Sequence, residues 1–403
     1  MTSLPLAGLR VLDLTTVIFG PYAAQWLGDM GAEVIKIEAP GGDSTRRTGP
    51  LRDTDMASVY LGSNRNKLGM GVNLKTPEGR QALSDLIATA DVFMHNMRPQ
   101  KIKALGFDAT TLRQRHPKLV YASLHGYGED GPYAGRPAYD DVIQGQSGIA
   151  DLFRQRDGQP AYAPTIMADK TCALVAAMAI MAALVQRERS GDGAHVEIPM
   201  FETMTAFTMV EHLYGHHFTP PEGEAIYPRM AAAWRRPYPT ADGFICMLPY
   251  TDAHWRMFFS DAGQPELADD PRFINIQART ANIQALYAEA ARIALTRRTE
   301  EWLAYGLAHE IPMVRVNGLG ELPHNEHLKA VNFFAHVQDP VMGDVMWPGV
   351  PVKFNGQRPP VRMAPRMGEH TAEIMQSLGY AAADIDRLMQ SGALFSSTHK
   401  TST

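Results

Sequence analysis

The stretch from Pro164 to Gly193 reads P-T-I-M-A-D-K-T-C-A-L-V-A-A-M-A-I-M-A-A-L-V-Q-R-E-R-S-G-D-G, and the rest of the chain is arranged around it. Every residue from Ala173 to Val185 is apolar, and Ser190-Gly191 ends the run. An apolar run of this length is shorter than the ~20 residues that cross a bilayer. A helix that is apolar on all sides belongs inside a large core. The stretch therefore predicts a buried core helix.

Asp169 stands at the expected start of this helix, next to Lys170. Aspartate is common there because it accepts hydrogen bonds from free backbone N–H groups and gains roughly 0.3–1 kcal/mol from the helix dipole. One interpretation of Asp169 is therefore a helix cap. The other is a reactive carboxylate at the entrance to the core, and the helix sequence alone does not separate the two.

Length and composition indicate a globular enzyme. The chain has 403 residues, more than the ~250–300 at which single cores stop growing, so we expect two domains. Its net charge of −5 gives no general basic field to attract nucleic acid or anionic lipid. We therefore expect neither a nucleic-acid partner nor a membrane partner.

The N-terminus and the cysteines indicate the cellular compartment. The first residues, M-T-S-L-P-L-A-G-L-R, lack the basic and apolar regions of a signal peptide. Cys172 and Cys246 provide neither a disulfide framework nor paired metal-ligand spacing. We expect a cytoplasmic protein.

The first third of the chain alternates strand and helix patterns. Leu9–Leu14 and Gly31–Glu38 have strand patterns on either side of a helical pattern at Pro21–Met30. Further strands are expected at Leu68–Leu74, Val92–His95 and Leu119–Ser123. This alternation predicts an α/β fold with a doubly wound, mainly parallel, Rossmann-like sheet, whose ligands bind at the carboxyl ends of the strands.

The pattern of the sequence changes near residue 225, and this change predicts the domain division. We expect a large domain at 1–224, a smaller α+β domain at 225–325, and a C-terminal segment at 326–403 that returns to the large domain. Basic residues recur near the strand ends of the large domain, and we expect most of them on a solvated face. These include Arg46, Arg65 and Lys67.

Three kinds of site are disfavoured by the motifs. The turn from Thr15 to Pro21 contains one glycine, whereas a nicotinamide or flavin site needs G-x-G-x-x-G. His212 and His216 are four residues apart, but no third ligand converges on them, so we expect no metal. No G-x-S-x-G elbow follows a strand, which disfavours a serine hydrolase.

Several short motifs occur in a characteristic order along nearly the whole chain. They are Leu9-Arg-Val-Leu-Asp-Leu14 with Gly20-Pro21, Gly31-Ala-Glu-Val-Ile-Lys-Ile-Glu38 with Pro40-Gly-Gly-Asp43, Val72-Asn-Leu-Lys-Thr-Pro-Glu-Gly79, Asn96-Met-Arg-Pro99, Gly126-Tyr-Gly128 with Gly131-Pro-Tyr133, Arg187-Glu-Arg-Ser-Gly191 and Gly368-Glu-His-Thr371. Each motif is weak by itself. The ordered set resembles the class III coenzyme A transferases, the family that includes formyl-CoA transferase and carnitine CoA-transferase.

The resemblance implies a reaction and an assembly. It makes Asp169 a covalent nucleophile that moves CoA from an acyl-CoA to a carboxylic acid through aspartyl anhydride and aspartyl-CoA thioester intermediates. Coenzyme A and acyl-CoA are then substrates, and no cofactor is bound permanently. The family also implies an interlocked homodimer. Donors at the helix start are expected to keep the Asp169 carboxylate ionised against burial.

The resemblance also assigns candidate binding residues. Those for CoA are Val17, Ile18, Val72, Asn73, Leu74, Lys75, Asn96, Met97, Lys101, Lys103, Arg136 and Met200. Those for the substrate acids are Tyr139, Asp140 and Arg235. Two basic residues usual in the family are replaced by Ala39 and Ala104, so the pairing of the CoA phosphates is expected to differ.

Two other functions remain open. Racemases of 2-methylacyl-CoA thioesters resemble the same family but use the histidine of a Gly-His-Asp run as a base. Here that stretch reads Pro137-Ala-Tyr-Asp-Asp141, and His125 would have to replace the missing histidine. The other function is a non-catalytic CoA-binding protein. The glycine-rich loop of formyl-CoA transferase has no counterpart at 229–242, which disfavours oxalate or formate as a substrate. Arg235 and Arg236 in this stretch either bind the carboxylate of a dicarboxylate acceptor or lie on a solvated turn before Pro237.

Overall fold

The computed structural model describes residues 3–397 and divides into two compact units. The first unit is built from the described parts of Met1–Ser147, Pro164–Thr205 and Glu326–Thr403. The second is built from Gly148–Ala163 and Ala206–Asn325. The predicted division into domains at residues 224 and 325 stays a prediction, because compactness alone does not define a domain.

The strands are short, as is usual for an α/β protein. In chain order they are β1 Arg10–Leu14, β2 Glu33–Glu38, β3 Lys67–Val72, β4 Val92–His95, β5 Val120–His125, β6 His195–Pro199, β7 Tyr238–Pro239, β8 Phe244–Met247, β9 Met313–Arg315, β10 Phe334–Asp339, β11 Gly343–Pro348 and β12 Leu394–Phe395.

The helices alternate with the strands in the first part of the chain. In chain order they are α1 Phe19–Asp29, α2 Ser58–Asn64, α3 Pro77–Ile87, α4 Pro99–Ala104, α5 Ala109–Arg115, α6 Asp140–Gln146, α7 Ile149–Asp157, α8 Met167–Ser190, α9 Met200–His212, α10 Asp252–Asp261, α11 Ile276–Ala281, α12 Ile283–Ala294, α13 Thr299–Ala308, α14 Glu326–Ala330, α15 Thr371–Ser377 and α16 Ala382–Gln390. Short 3-10 helices occur at Ser44–Arg47, Tyr214–His217, Pro265–Leu267 and Leu319–His324.

The first unit is organised around a seven-stranded sheet in the order β12-β3-β2-β1-β4-β5-β6. Neighbouring strands are parallel except β12, which is antiparallel to β3. Doubly wound nucleotide-binding folds have the same 3-2-1-4-5-6 strand order, and their ligand crevice lies at the carboxyl ends of the two strands between which the winding reverses. Here those strands are β1 and β4. The predicted α/β fold with a mainly parallel sheet is confirmed.

The long helix α8 packs beside this sheet, in contact with α1, α6, β5 and β6. Its small alanines face inward, whereas Leu174, Met178 and Val185 are 47%, 61% and 52% exposed. The prediction of a helix buried on all sides is therefore wrong for the single chain, because only the alanine-rich face packs closely. Within residues 3–397, α8 is the one helix long and apolar enough to cross a membrane, a test that core helices also pass.

Small antiparallel sheets complete the two units. In the first unit β10 pairs with β11. In the second unit β8 lies between β7 and β9, and both pairs are antiparallel. The core of the second unit is aromatic, with Trp255, Phe258, Phe259, Phe273 and Trp302 all buried.

Candidate active site

A cavity of about 220 Å³ lies at the carboxyl ends of β1 and β4 in the first unit. Its wall includes the turn after β1, Asn96 after β4, the end of β5, and the first turn of α8. Six of the predicted site residues line it, namely Val17, Asn96, Arg136, Tyr139, Asp169 and Met200. The cavity therefore lies where a doubly wound sheet binds its ligands.

Asp169 is the third residue of α8 and is 7% exposed. The N-cap position is Ile166, which makes no side-chain capping bond, so the cap interpretation of Asp169 is wrong. Burial, and then the negative charge of Asp140, raise the pKa of Asp169 to about 7. Helix-end donors do not hold this pKa down as expected, because desolvation and Asp140 raise it.

Asp140 is the first residue of α6 and supports the start of α8. Its Oδ1 accepts the backbone N–H of Asp169 at 3.0 Å, and its Oδ2 accepts Nε2 of Gln144 at 2.6 Å. One carboxylate thus satisfies a free N–H of α8 and also places a negative charge beside a second carboxylate. This arrangement disfavours ionisation of Asp169.

The cavity loop, residues 15–18, is held from two sides. Asn96 accepts the N–H of Thr16 at 3.1 Å and donates to the Thr16 carbonyl at 2.9 Å. The N–H of Val17 donates to both carboxylate oxygens of Asp43 at 3.2 Å. Val17 has φ +73°, a left-handed conformation that is rare for a β-branched residue. Ile18, the last residue of the loop, is buried and does not line the cavity.

A buried ionic network lies behind this loop. Lys36 donates to Asp43 at 3.0 Å, and Lys67 donates to Asp13 at 2.8 Å. Burial alone would raise the pKa of Asp13, but the positive charges of the two lysines outweigh it and lower that pKa. Arg46 pairs with Glu38 and Arg65 pairs with Asp29, also within the core. The expectation of a solvated face is wrong for Arg46, Arg65 and Lys67, all of which are buried.

The other predicted binding residues lie outside the cavity wall. Asn73, Leu74 and Lys75 follow Val72, the last residue of β3, at the same edge of the sheet as the cavity but two strands from β1. Met97 is half-buried after Asn96, and Lys101 and Lys103 are exposed on α4. Arg235 belongs to the second unit.

The cavity wall also includes Arg98, His125 and Tyr127, which were not among the predicted binding residues, although His125 was considered as a racemase base. Arg98 lies in the same motif as Asn96, and His125 ends β5, so their positions after strands were the available signals. Nε2 of His125 is 2.9 Å from Oε1 of Glu129 but is not aligned for a hydrogen bond. Burial lowers the pKa of His125 despite that neighbouring charge.

The comparisons with known proteins define the class. A model of CoA-transferase family III matches residues 6–371, so the chain belongs to this family and is a transferase enzyme.

In the part of the chain that the structure describes, no group of three or more His, Cys, Asp or Glu side chains could hold a metal ion.

Individual relatives cover nearly the whole chain. The succinate–glutarate CoA-transferase of Agrobacterium fabrum is 32% identical, covering 93% of this chain and 96% of its own length. The formyl-CoA:oxalate CoA-transferase of Escherichia coli is 30% identical, covering 97% of this chain and all of its own length. The crystal structure of an aspartate-to-alanine variant of Rv3272 from Mycobacterium tuberculosis has a TM-score of 0.81 and 29% identity, covering 93% of this chain and 99% of that one.

Proposed function

We propose that this enzyme moves CoA from an acyl-CoA to a small carboxylic acid, with Asp169 as the covalent nucleophile. The observation that carries the proposal is a buried carboxylate of raised pKa on the wall of a cavity at the carboxyl ends of β1 and β4. A purely structural aspartate of the same burial is normally paired with a cation. Asp169 has a second carboxylate as its neighbour instead.

The proposed reaction exchanges a thioester in four steps. An Asp169 oxygen attacks the donor carbonyl, forming a mixed anhydride and releasing CoA thiolate. The thiolate attacks the aspartyl carbonyl, so the donor acid leaves and an aspartyl-CoA thioester remains. The acceptor carboxylate attacks this thioester and forms a second anhydride with release of thiolate. The thiolate then attacks the acceptor carbonyl, which yields the new acyl-CoA and restores the aspartate.

The surroundings of Asp169 fit this chemistry. A carboxylate without a hydration shell is a stronger nucleophile, and exclusion of water protects the anhydrides from hydrolysis. A pKa of about 7 leaves a large part of the carboxyl ionised at neutral pH. The same carboxylate is a good leaving group in the final step. Burial therefore favours the attack, and the aspartate can leave in the final step because it is a weaker base than the attacking thiolate.

The substrate acids are proposed to be dicarboxylates. Arg98 and Arg136 line the cavity, and within residues 3–397 neither forms an ion pair with a carboxylate. Guanidinium groups bind carboxylates and phosphates through paired hydrogen bonds. The named relatives use succinate and glutarate, or oxalate. We assign the CoA thioester to the part of the cavity lined by Val17, Asn96 and Met200.

Further binding roles are proposed outside the cavity wall. The adenosine end of CoA is assigned to residues 72–75, and its phosphates to Lys101 and Lys103 on α4. Tyr139 and Asp140 remain candidates for contacts with the acids. Arg235 is a further candidate for contacts with the acids. The proposed reaction uses no permanently bound cofactor.

A homodimer is also proposed. The outer face of α8 carries Leu174, Met178 and Val185, all about half exposed or more. Large apolar side chains aligned on one helix face usually mark an interaction surface. A second copy of the chain would cover this face, as an interlocked dimer requires. Light scattering of the wild type and of Met178→Glu checks this, since the variant should weaken the dimer.

A cytoplasmic location completes the proposal. Cys172 and Cys246 are both free, as is usual for thiols in a reducing compartment. Localisation of a fluorescent fusion in the native host would test it.

Trapping of the covalent intermediates tests the function. The enzyme is incubated with a panel of acyl-CoAs, including those of C4 and C5 dicarboxylates, then treated with hydroxylamine or borohydride and analysed by peptide mass spectrometry. Modification confined to Asp169, with Asp140 and Asp141 as internal controls, is expected. Exchange of the α-proton of 2-methylacyl-CoA without an adduct would instead support a racemase that uses Asp169 and His125. CoA binding without either reaction would support a binding protein.

A further inference from the structure

The geometry points to Asp43 as a positioning residue that holds the cavity loop in a strained conformation required for acyl-CoA binding. Asp43 ends the Pro40-Gly-Gly-Asp43 motif and does not line the cavity. The inference rests on the proposed function for its kinetic consequence. The restraint on the loop stands on geometry alone.

Val17 carries the strain. Its φ of +73° places the backbone in the left-handed region, where the β-branched side chain is crowded. Such a conformation persists only when surrounding contacts impose it, and it is typical of functional sites. The Asp43 carboxylate restrains Val17 directly. The backbone nitrogen of Val17 lies 3.2 Å from each of the two carboxylate oxygens.

Asp43 is well suited to impose this conformation because its carboxylate is fixed. It is fully buried and accepts the backbone N–H of Thr45 at 3.0 Å and the Thr45 hydroxyl at 2.8 Å. Lys36, also fully buried, donates to Asp43 at 3.0 Å and to the Thr15 carbonyl at 3.1 Å. One lysine thus links the carboxylate to the residue that begins the loop.

The glycines of the motif explain how Asp43 reaches this position. Gly41 and Gly42 have φ of +130° and +66°. Gly41 thus adopts a conformation that only glycine takes readily, and a Cβ on Gly42 would lie 2.9 Å from Sδ of Met367. The backbone N–H of Asp43 then donates to Glu38 at 2.9 Å. This turn places Asp43 beneath the cavity loop. The motif can therefore support the loop although it does not line the cavity.

The consequence concerns affinity more than chemistry. Asp43 restrains the loop directly through the Val17 N–H and indirectly through Lys36, whereas Asp169 is held by a different pair of elements, α6 and α8. Asp43→Asn places an amide N–H beside Lys36, so the side chain is no longer fixed in place. This change should alter the shape of the loop and leave the nucleophile in place. We expect a higher KM for acyl-CoA at a nearly unchanged kcat.

The principal test compares Asp43→Asn with Asp29→Asn. Asp29 is also buried in the first unit and is paired with Arg65 at 2.7 Å, but it does not line the cavity. Asp43→Asn should raise KM for acyl-CoA at least fivefold with kcat within about twofold of wild type. Asp29→Asn should leave KM within about twofold while also lowering stability. An equal rise in both variants would overturn the assignment.

Glycine at position 17 provides the rescue, because it adopts the left-handed conformation without strain. Asp43→Asn made in a Val17→Gly background should raise KM less than about twofold relative to Val17→Gly alone. A fivefold rise in that background would show that Asp43 acts other than through Val17. If Asp43→Asn does not fold, Thr45→Val, which removes one donor to Asp43, should raise KM about two- to threefold, and an unchanged KM would count against the assignment.

A readout without turnover separates this inference from the proposed function. Hydrogen exchange of the peptide spanning residues 14–20 reports on the Val17 N–H. Asp43→Asn should speed that exchange at least tenfold, and Asp29→Asn should not. This result would support the restraint even if no CoA transfer were found. Unchanged exchange in a folded Asp43→Asn protein would refute it.

Discussion

Asp13 and Asp169 are both buried aspartates of the first unit, with 0% and 7% of their surface exposed, yet their pKa values are shifted in opposite directions. The pKa of Asp13 is lowered, because Lys67 and Lys36 more than offset its desolvation. The pKa of Asp169 is raised to about 7, because desolvation is reinforced by Asp140. The depth of burial is similar, and the sign of the neighbouring charge differs.

The comparison separates a structural carboxylate from a reactive one. In the network behind the cavity loop, each carboxylate accepts hydrogen bonds from lysine, arginine or backbone donors, so its lone pairs are occupied. Within the described residues, Asp169 forms no ion pair, and its side chain faces the cavity. A buried charge without a cation is costly, and such sites are commonly functional.

The largest effect is expected for Asp169→Asn. The amide keeps the size of the side chain but is not a nucleophile, so CoA transfer should fall by at least about 10³-fold. Initial rates with the best acyl-CoA pair measure this, and Asp141→Asn, at an exposed position on α6, is the control. Transfer within tenfold of wild type would contradict the covalent role.

The pH dependence of stability gives the next largest effect. Below about pH 4 the Asp169 carboxyl is protonated in both folded and unfolded chains and contributes no pH dependence. Between pH 4 and 7 only the unfolded chain ionises it, so stability falls as pH rises, and the loss is complete above the folded pKa of about 7. The gap from the usual 3.8 corresponds to about 4 kcal/mol.

Urea unfolding at several pH values checks this prediction. Asp169→Asn lacks this ionisation, so its free energy of unfolding should rise relative to that of the wild type from about pH 4.5 to about pH 7 and then stay level. The difference between the two proteins isolates Asp169 from all other titrating groups. A difference that stays constant with pH would mean that the carboxyl titrates normally.

The local sequence pattern was sufficient to predict strands and helices that position the site. The Val92–His95 strand occurs as predicted, and α3 begins with Thr76 as its cap, accepting the Gly79 N–H at 3.0 Å, and Pro77 as its first residue. Periodicity and capping act over a few residues, so they can be read directly from the chain. The placement of the cavity at strand ends followed from the parallel topology.

The charge environment was not predictable in the same way. Lys36 and Lys67 are buried inside strands, although lysine is rarely buried, and their partners are distant in sequence. Asp13 and Lys67, for example, are 54 residues apart. The pKa of Asp169 likewise depends on Asp140, which only the packing of α6 on α8 brings close. Pairings of this kind are set by tertiary contacts and leave no local signal.

A loss of stability is expected for Asp13→Asn. The change removes the carboxylate that pairs with Lys67 at 2.8 Å and leaves a buried lysine without its main counter-charge. Breaking such a pair costs about 3 kcal/mol or more. Chemical denaturation at pH 7 measures it, and Arg154→Gln, which breaks the exposed pair with Asp151, should cost less than about 1 kcal/mol. Equal costs would mean that the buried network is not stabilising.

The smallest effect is expected for Asp140→Asn, which removes the negative charge beside Asp169 and, on the other oxygen, the acceptor of the Gln144 amide. The amide oxygen can still accept the Asp169 N–H, so the start of α8 should keep its geometry. Removal of the second cause of the raised pKa should lower the pKa of Asp169 below about 7 while burial still keeps it above its usual value.

The pH profile of kcat/KM reports this change, because the ionised carboxylate is the reactive form and the rate therefore rises with pH. In the wild type the midpoint should lie at about 7, and in Asp140→Asn it should move to a lower pH, so that kcat/KM at pH 6 rises relative to its plateau at high pH. Asp141→Asn should leave the midpoint in place. A uniform loss of rate at every pH, with no change in midpoint, would instead assign Asp140 to substrate binding, and the contrast between Asp169 and Asp13 would then rest on the lysines beside Asp13.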